Sequence, residues 1–197
     1  MCAKAKRSAM VREAYKDYEA NLAAEKIVDS PFVVQSIKQN HPSSHYDEAS
    51  ITSAAPLGEM CVACEIRNMS PFNYSFSYKT DWIDDRVLAR LDVGDGTHNN
   101  RVPGIPLEET SVPTPHIHLY RNDGYFVAYR IDGIDYESDE PVKFDYYKGY
   151  EYLCGRLNIG CENHTPPAFY FQPSGRLNLM VSDADPNEGV EFPAENE

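Results

Sequence analysis

Between residues 72 and 79 aromatic and polar side chains alternate. Phe72, Tyr74, Phe76 and Tyr78 take one parity, and Asn73, Ser75, Ser77 and Lys79 take the other. Successive side chains of a strand point to opposite faces, so this period of two predicts a half-buried strand. Residues 87–93 behave alike, with Val87, Ala89, Leu91 and Val93 on one face and Arg90 and Asp92 on the other. In 116–121, Ile117 and Leu119 alternate with His116, His118 and Tyr120. Asn122-Asp123-Gly124 then forms a hairpin turn into a strand over 125–131, because Asn, Asp and Gly tolerate positive φ. The mostly apolar run 60–67 predicts a buried strand. Phe169, Phe171, Leu177, Leu179 and Val181 flank Pro173-Ser-Gly175 as a last hairpin.

Helical spacing is found at two places. Val11, Ala14, Tyr15, Tyr18, Leu22 and Ile27 recur at steps of three and four, which predicts a helix over 1–28. Pro141 opens a second helix that runs to about Asn158 and ends by Gly160, although Gly149 and Gly155 weaken it. Residues 29–57 read as a long polar loop with an edge strand at 32–37. Residues 94–115 read as a Pro- and Gly-rich loop too long for a simple hairpin, and loops of that length inside a compact domain tend to be functional. The pattern predicts an α+β domain over 29–182: a mainly antiparallel sheet of five to seven strands, an N-terminal helix (1–28) and one later helix, followed by an acidic tail over 183–197.

Composition narrows the setting. The chain has 197 residues, and 31 Asp+Glu against 18 Lys+Arg give a net charge of −13. No apolar run is long enough for a membrane span, and no secretory signal is seen. Five cysteines without framework spacing suit a reducing compartment, so a cytoplasmic location is expected. The acidic balance disfavours general nucleic-acid binding. Only 1–28 is basic, with six cations against four anions.

The densest chemistry is Pro115-His116-Ile-His118-Leu-Tyr120, where two imidazoles share one strand face. Upstream, Arg90-Leu-Asp92 and His98 are candidates to join them, with Asp95 nearby. Were strands 87–93, 116–121 and 125–131 neighbours, one face would collect Arg90, Asp92, His116, His118, Tyr120 and Arg130. That set suits metal-independent phosphodiester cleavage, with one His as base, one as acid, Arg against the phosphorane charge and Asp92 orienting a ring. It equally suits zinc held by His98, His116 and His118 with water in the fourth place. The plainest reading is the polar face of a half-solvated sheet. Cys61-x-x-Cys64 has a zinc-like spacing, but residues three apart on a strand face opposite ways, so buried thiols are expected, with Cys154 and Cys161 completing no common pattern. His41, His45 and His164 read as surface groups. Residues 132–151 carry seven acids against two lysines. Asp135, Glu137, Asp139 and Glu140 are therefore candidates to bind a basic protein partner; the histidine site would instead meet RNA.

The stretch from Phe72 to Tyr129 resembles a family of small bacterial proteins classed as a domain of unknown function. The residues that carry the likeness are Tyr74-Ser-Phe-Ser-Tyr78, Arg90-Leu-Asp-Val93, His98-Asn-Asn100 and Pro115-His-Ile-His-Leu-Tyr120. The chain departs from that family in its longer 101–114 loop, its N-terminal helix and its acidic tail. A looser likeness, to small toxin nucleases of toxin–antitoxin systems, implies a nuclease-like protein of inter-genome conflict. The alternative is a non-catalytic acidic inhibitor that blocks a nucleic-acid-binding machine. Oligomeric state is not legible in the sequence.

Overall fold

The computed structural model describes residues 5–67, 70–94, 96–160 and 167–172. Asp95, Cys161, His164, the second arm of the expected 169–181 hairpin and the acidic tail lie outside them.

The elements run α1 (Ala9–Glu13), α2 (Tyr15–Ala23), β1 (Lys26–Val28), β2 (Phe32–Val34), β3 (Ile37–Lys38), β4 (His41–Ser53), β5 (Met60–Arg67), β6 (Ser70–Thr80) and β7 (Val87–Val93). They continue with β8 (Thr97–Asn99), β9 (Ser111–Pro113), β10 (His116–Tyr120), β11 (Phe126–Arg130), α3 (Tyr146–Arg156), β12 (Ile159–Gly160) and β13 (Phe169–Phe171). The class is α+β. One large sheet has the order β11-β10-β7-β6-β5-β4-β1-β12, with β3 also on β4, and only β1 and β12 pair in parallel. Its nine strands exceed the expected five to seven. The excess comes mainly from 26–57, where β4 alone spans 13 residues. Polar residues such as Ser43, Tyr46, Glu48 and Thr52 hide its alternation, because one face of it is solvated.

The core lies on the opposite face. Val62, Cys64, Ile66, Tyr74, Phe76, Tyr78, Ala89, Leu91 and Val93 are all buried there, those of β6 and β7 on the parity that the alternation predicts. Helix α3 lies across β6. Its Gly149 is the contact point, since a Cβ there would stand 2.3 Å from the Tyr74 hydroxyl. The glycine that weakened the helix in the sequence is what lets it approach. Asp145 caps the N-terminus by accepting from the Tyr147 amide at 2.8 Å. So the helix starts at Tyr146 rather than at Pro141, which opens a single 3₁₀ turn.

Residues 1–28 do not form one helix. Ala14 (φ −117°, ψ 41°) breaks the stripe between α1 and α2, and the chain enters the sheet at Lys26. Ile27, expected on the apolar stripe, is exposed. Lys26, one of the six cations counted in the basic segment, is fully buried; its Nζ donates to the carbonyls of Leu22, Ala24 and Leu157 at 3.0, 2.9 and 2.7 Å. It ties the C-terminal end of α2 to that of α3. Lys26→Met should lower the urea unfolding free energy by about 2–3 kcal/mol, since three carbonyls lose a donor and the buried one gains no water. An unchanged or raised midpoint would mean that the buried ammonium costs more than its three bonds return.

Three smaller expectations need correction. The 94–115 loop contains the hairpin β8–β9 and one 3₁₀ turn. His45 is buried in β4 against Phe171, while His41 is exposed. Cys61 is half-buried on the solvated face, whereas Cys64 and Cys154 are buried thiols. No helix among the described residues is long and apolar enough to cross a membrane.

Candidate active site

The antiparallel register of β7 and β10 sets His116 opposite Asp92 and His118 opposite Arg90. Paired residues share a face, so these four side chains form a square on the solvated side of the sheet. The row through Asp92 continues to Ser75 on β6 and Glu65 on β5. His98 arrives from above on β8. Asn100 fixes that hairpin: its Nδ2 donates to the carbonyls of Glu109 and Ala128, both at 2.8 Å, and its Oδ1 accepts from the Ala128 amide at 3.0 Å. A side chain thus completes the outer edge of β11 and holds His98 over the square.

One oxygen of Asp92 is the hub. Its Oδ2 accepts from Arg90 Nε at 2.9 Å and Nη2 at 2.7 Å, and from His118 Nε2 at 3.1 Å; His116 Nε2 stands 3.6 Å away. The carboxyl is partly buried, which alone would raise its pKa. The neighbouring His116 and His118 imidazoles and the Arg90 charge outweigh this and hold it well below the usual carboxylate range. His118 is pushed down to about 4, first by burial and then by the Arg90 charge, against the opposing pull of Asp92. The ring is therefore neutral at pH 7. Its Nε2–H points to Asp92 because a lone pair there would face a carboxylate. His116 Nδ1 stands 3.2 Å from the Pro113 carbonyl, while its Nε2 lies 3.6 Å from Asp92, beyond a hydrogen bond.

Ring centroids stand 4.6 Å apart for His98–His118, 4.8 Å for His116–His118 and 5.7 Å for His98–His116. A cleft of about 420 Å³ opens over the site, lined among others by His98, His116, Asp92, Arg90, Arg67 and Glu65. His118 is not among the lining residues; it sits behind them, 2% exposed and stacked on Phe126. His98 is half-buried, and its pKa is lowered by burial and then by the neighbouring His116 and Arg90 charges. Within the cleft Glu65 is neutralised by Lys38, and Asp92 by Arg90. Arg67 lines the cleft, is exposed and makes no ion pair among the described residues.

Two residues expected on this face point elsewhere. Arg130 is exposed and lies over the Tyr136 ring, 5.1 Å from its centroid. Tyr120 is buried between Tyr18 and Phe126, and its hydroxyl has no hydrogen-bond partner among the described residues. Neither touches the imidazoles. Of the acidic candidates, Asp135, Glu137 and Asp139 are exposed, but Glu140 turns inward and accepts from the Asp135 amide and the Ser138 hydroxyl, both at 3.2 Å.

The three imidazoles are the one group among the described residues with metal-ligand convergence; their donor atoms lie within 4.8 Å of one another. Tetrahedral zinc with Zn–N bonds near 2.0–2.1 Å places nitrogens roughly 3.3 Å apart, so the rings would have to close in on an ion. The bonds around Asp92, in contrast, are already at hydrogen-bond distance. Comparison with known proteins adds nothing to this geometry: no family model, no curated protein and no solved structure matches the chain.

Proposed function

We propose that this cleft cleaves RNA phosphodiesters by paired-imidazole acid–base catalysis. The observation that carries the reading is the unequal environment of two cleft imidazoles, His98 and His116, above one partly buried carboxylate. His98, kept neutral, takes the proton of the ribose 2′-hydroxyl. The 2′-oxygen attacks phosphorus and forms the O2′–P bond. The P–O5′ bond breaks, and His116, acting in its protonated form, gives the Nε2 proton to the departing 5′-oxygen while Nδ1 stays against the Pro113 carbonyl. The products are a 2′,3′-cyclic phosphate and a 5′-hydroxyl. Arg90 and Arg67 face the charge that grows on the phosphorane oxygens. Asp92 and His118 are positioning residues: the carboxylate stands 3.6 Å from His116 Nε2, and His118 braces the carboxylate at 3.1 Å. The two arginines give an anion a local foothold despite the charge of −13. The exposed acids Asp135, Glu137 and Asp139 sit on another loop and favour the competing reading, a surface for a basic partner.

The test is cleavage of a single-stranded oligoribonucleotide in EDTA, with the all-deoxy strand as control. Activity on RNA alone, unaffected by EDTA, is expected. The acid limb of kcat/KM should lie below pH 6.5, because His98 must be neutral to accept a proton and its pKa is lowered. An acid limb at or above 6.5 would remove His98 as the base. Zinc is the rival use of the same imidazoles, favoured by their convergence. About one equivalent of zinc per chain, with activity and melting temperature both lost on chelation, would replace the acid–base reading.

A further inference from the structure

The cleft does not end at the histidines. Asn73, Val93, Gly94 and Thr114 also line a second hollow of about 240 Å³, which opens around the ends of β6, β7 and β10. The backbone passes close here. Gly94 has φ +144°, and a Cβ on it would fall 1.6 Å from Asn73 Oδ1, so only glycine keeps the passage between the two hollows at its present shape. The second hollow is lined by Phe72, Phe144 and Lys143. Phe72 is 51% exposed and Phe144 46%, and their rings meet edge to face at 5.8 Å. Large aromatic rings left half open beside a polar cleft offer a π-face that the protein does not itself cover. Lys143 donates to the carbonyls of Tyr136 and Ser138, which leaves one of its three ammonium protons for a ligand.

We infer that this hollow is a base-stacking subsite that holds a nucleotide adjacent to the cleaved phosphate, with its base on Phe72 and Phe144 and its phosphate against Lys143. The inference rests on the RNA-cleaving reading and narrows its substrate to single strands, because a base held in a duplex cannot reach an aromatic platform. The ligand must carry an aromatic ring together with an anion, the complements of the Phe72 and Phe144 rings and the Lys143 ammonium that stand side by side here. A stacked base suits all four nucleotides, so the subsite gives grip rather than sequence preference.

The experiment measures binding of a fluorescent, uncleavable all-deoxy single strand by anisotropy, alongside KM for the matching ribo-strand. Phe144→Ala should weaken binding and raise KM about 5- to 150-fold, the range for loss of one stacked base, with kcat little changed. Phe144→Tyr should restore it. Lys143→Gln should weaken binding and reduce its salt dependence. An abasic site walked along the strand should abolish the Phe144→Ala penalty at one position. A penalty that survives every abasic position would mark a structural effect and overturn the subsite, as would wild-type binding by Phe144→Ala or no binding of single strands at all. Cleavage with an unaltered KM in Phe144→Ala would sink the subsite and leave the acid–base reading standing. Stacking-dependent binding without cleavage would do the reverse.

Discussion

Alanine at His116 is expected to lower cleavage of a single-stranded oligoribonucleotide by about 10²- to 10⁴-fold, the usual worth of a positioned general acid. KM should change little, since the imidazole acts on the departing oxygen rather than on the ground-state strand. His98→Ala should cost a similar factor and should also remove the acid limb of the pH profile. His118→Ala should cost less, because its ring does not line the cleft and acts on the chemistry only through Asp92. The order of the three losses is the informative result. If His118→Ala is the most damaging and His98→Ala is silent, the catalytic pair is the two histidines of β10, and the hairpin carrying His98 is only a cover.

Asp92→Asn is expected to be damaging in a different way. One carboxylate oxygen receives the Arg90 guanidinium and the His118 imidazole, with His116 3.6 Å away, so the amide leaves a partly buried guanidinium without its counter-charge. Unfolding free energy at pH 7 should fall by about 2 kcal/mol, less than the roughly 3–5 kcal/mol of a fully buried pair, because the Arg90 and Asp92 side chains keep 38% and 24% of their exposure. The pH dependence separates the contributions. His118 has its folded pKa depressed from 6.5 to about 4, so its share of stability is complete above pH 6.5 and is lost as pH falls through 4. Asp92 is depressed from 3.8, so its share persists to about pH 4 and is lost only in stronger acid. Urea midpoints should therefore decline between pH 6.5 and 4 in wild type and in Asp92→Asn alike. The further decline below pH 4 should be reduced in the variant. Identical curves below pH 4 would deny Asp92 its place as the hub.

Much of the square was legible because a strand of alternating residues declares its own faces. Arg90 with Asp92, and His116 with His118, lie on common faces for that reason alone, and antiparallel pairing of β7 and β10 needed only the expected neighbourhood. What the alternation lacks is strand order and height above the sheet. Glu65 and Arg67 reach the cleft because β5 lies two strands from β7, which no local pattern reveals. Tyr120 keeps the parity of the histidines, yet it lies at the end of the strand, where Tyr18 of α2 covers it and accepts a hydrogen bond from its backbone amide. Arg130 is opposite His116 in register, but its long side chain finds the Tyr136 ring instead.

Polar strands were the other blind spot. β4 buries only part of one face, so His45, Ala49 and Ile51 are scattered among Ser, Thr and acids, and the segment reads as a loop. Lys26 was hidden for a related reason: periodicity treats a lysine as a surface residue, whereas three converging backbone carbonyls can hold an ammonium inside. The clearest missed signal is Asn100. Its side chain imitates a backbone partner for Ala128, and this long-range bond places His98 over the site.

The most direct test of the acid–base account uses a DNA strand carrying one ribonucleotide, incubated with the protein in EDTA, with the products weighed by mass spectrometry. The account predicts a single cut on the 3′ side of that ribonucleotide, leaving a 2′,3′-cyclic phosphate on one fragment and a 5′-hydroxyl on the other, and no such product from the His116→Ala protein. An uncut strand, a cut that needs added metal, or a 3′-hydroxyl with a 5′-phosphate at the break would contradict it.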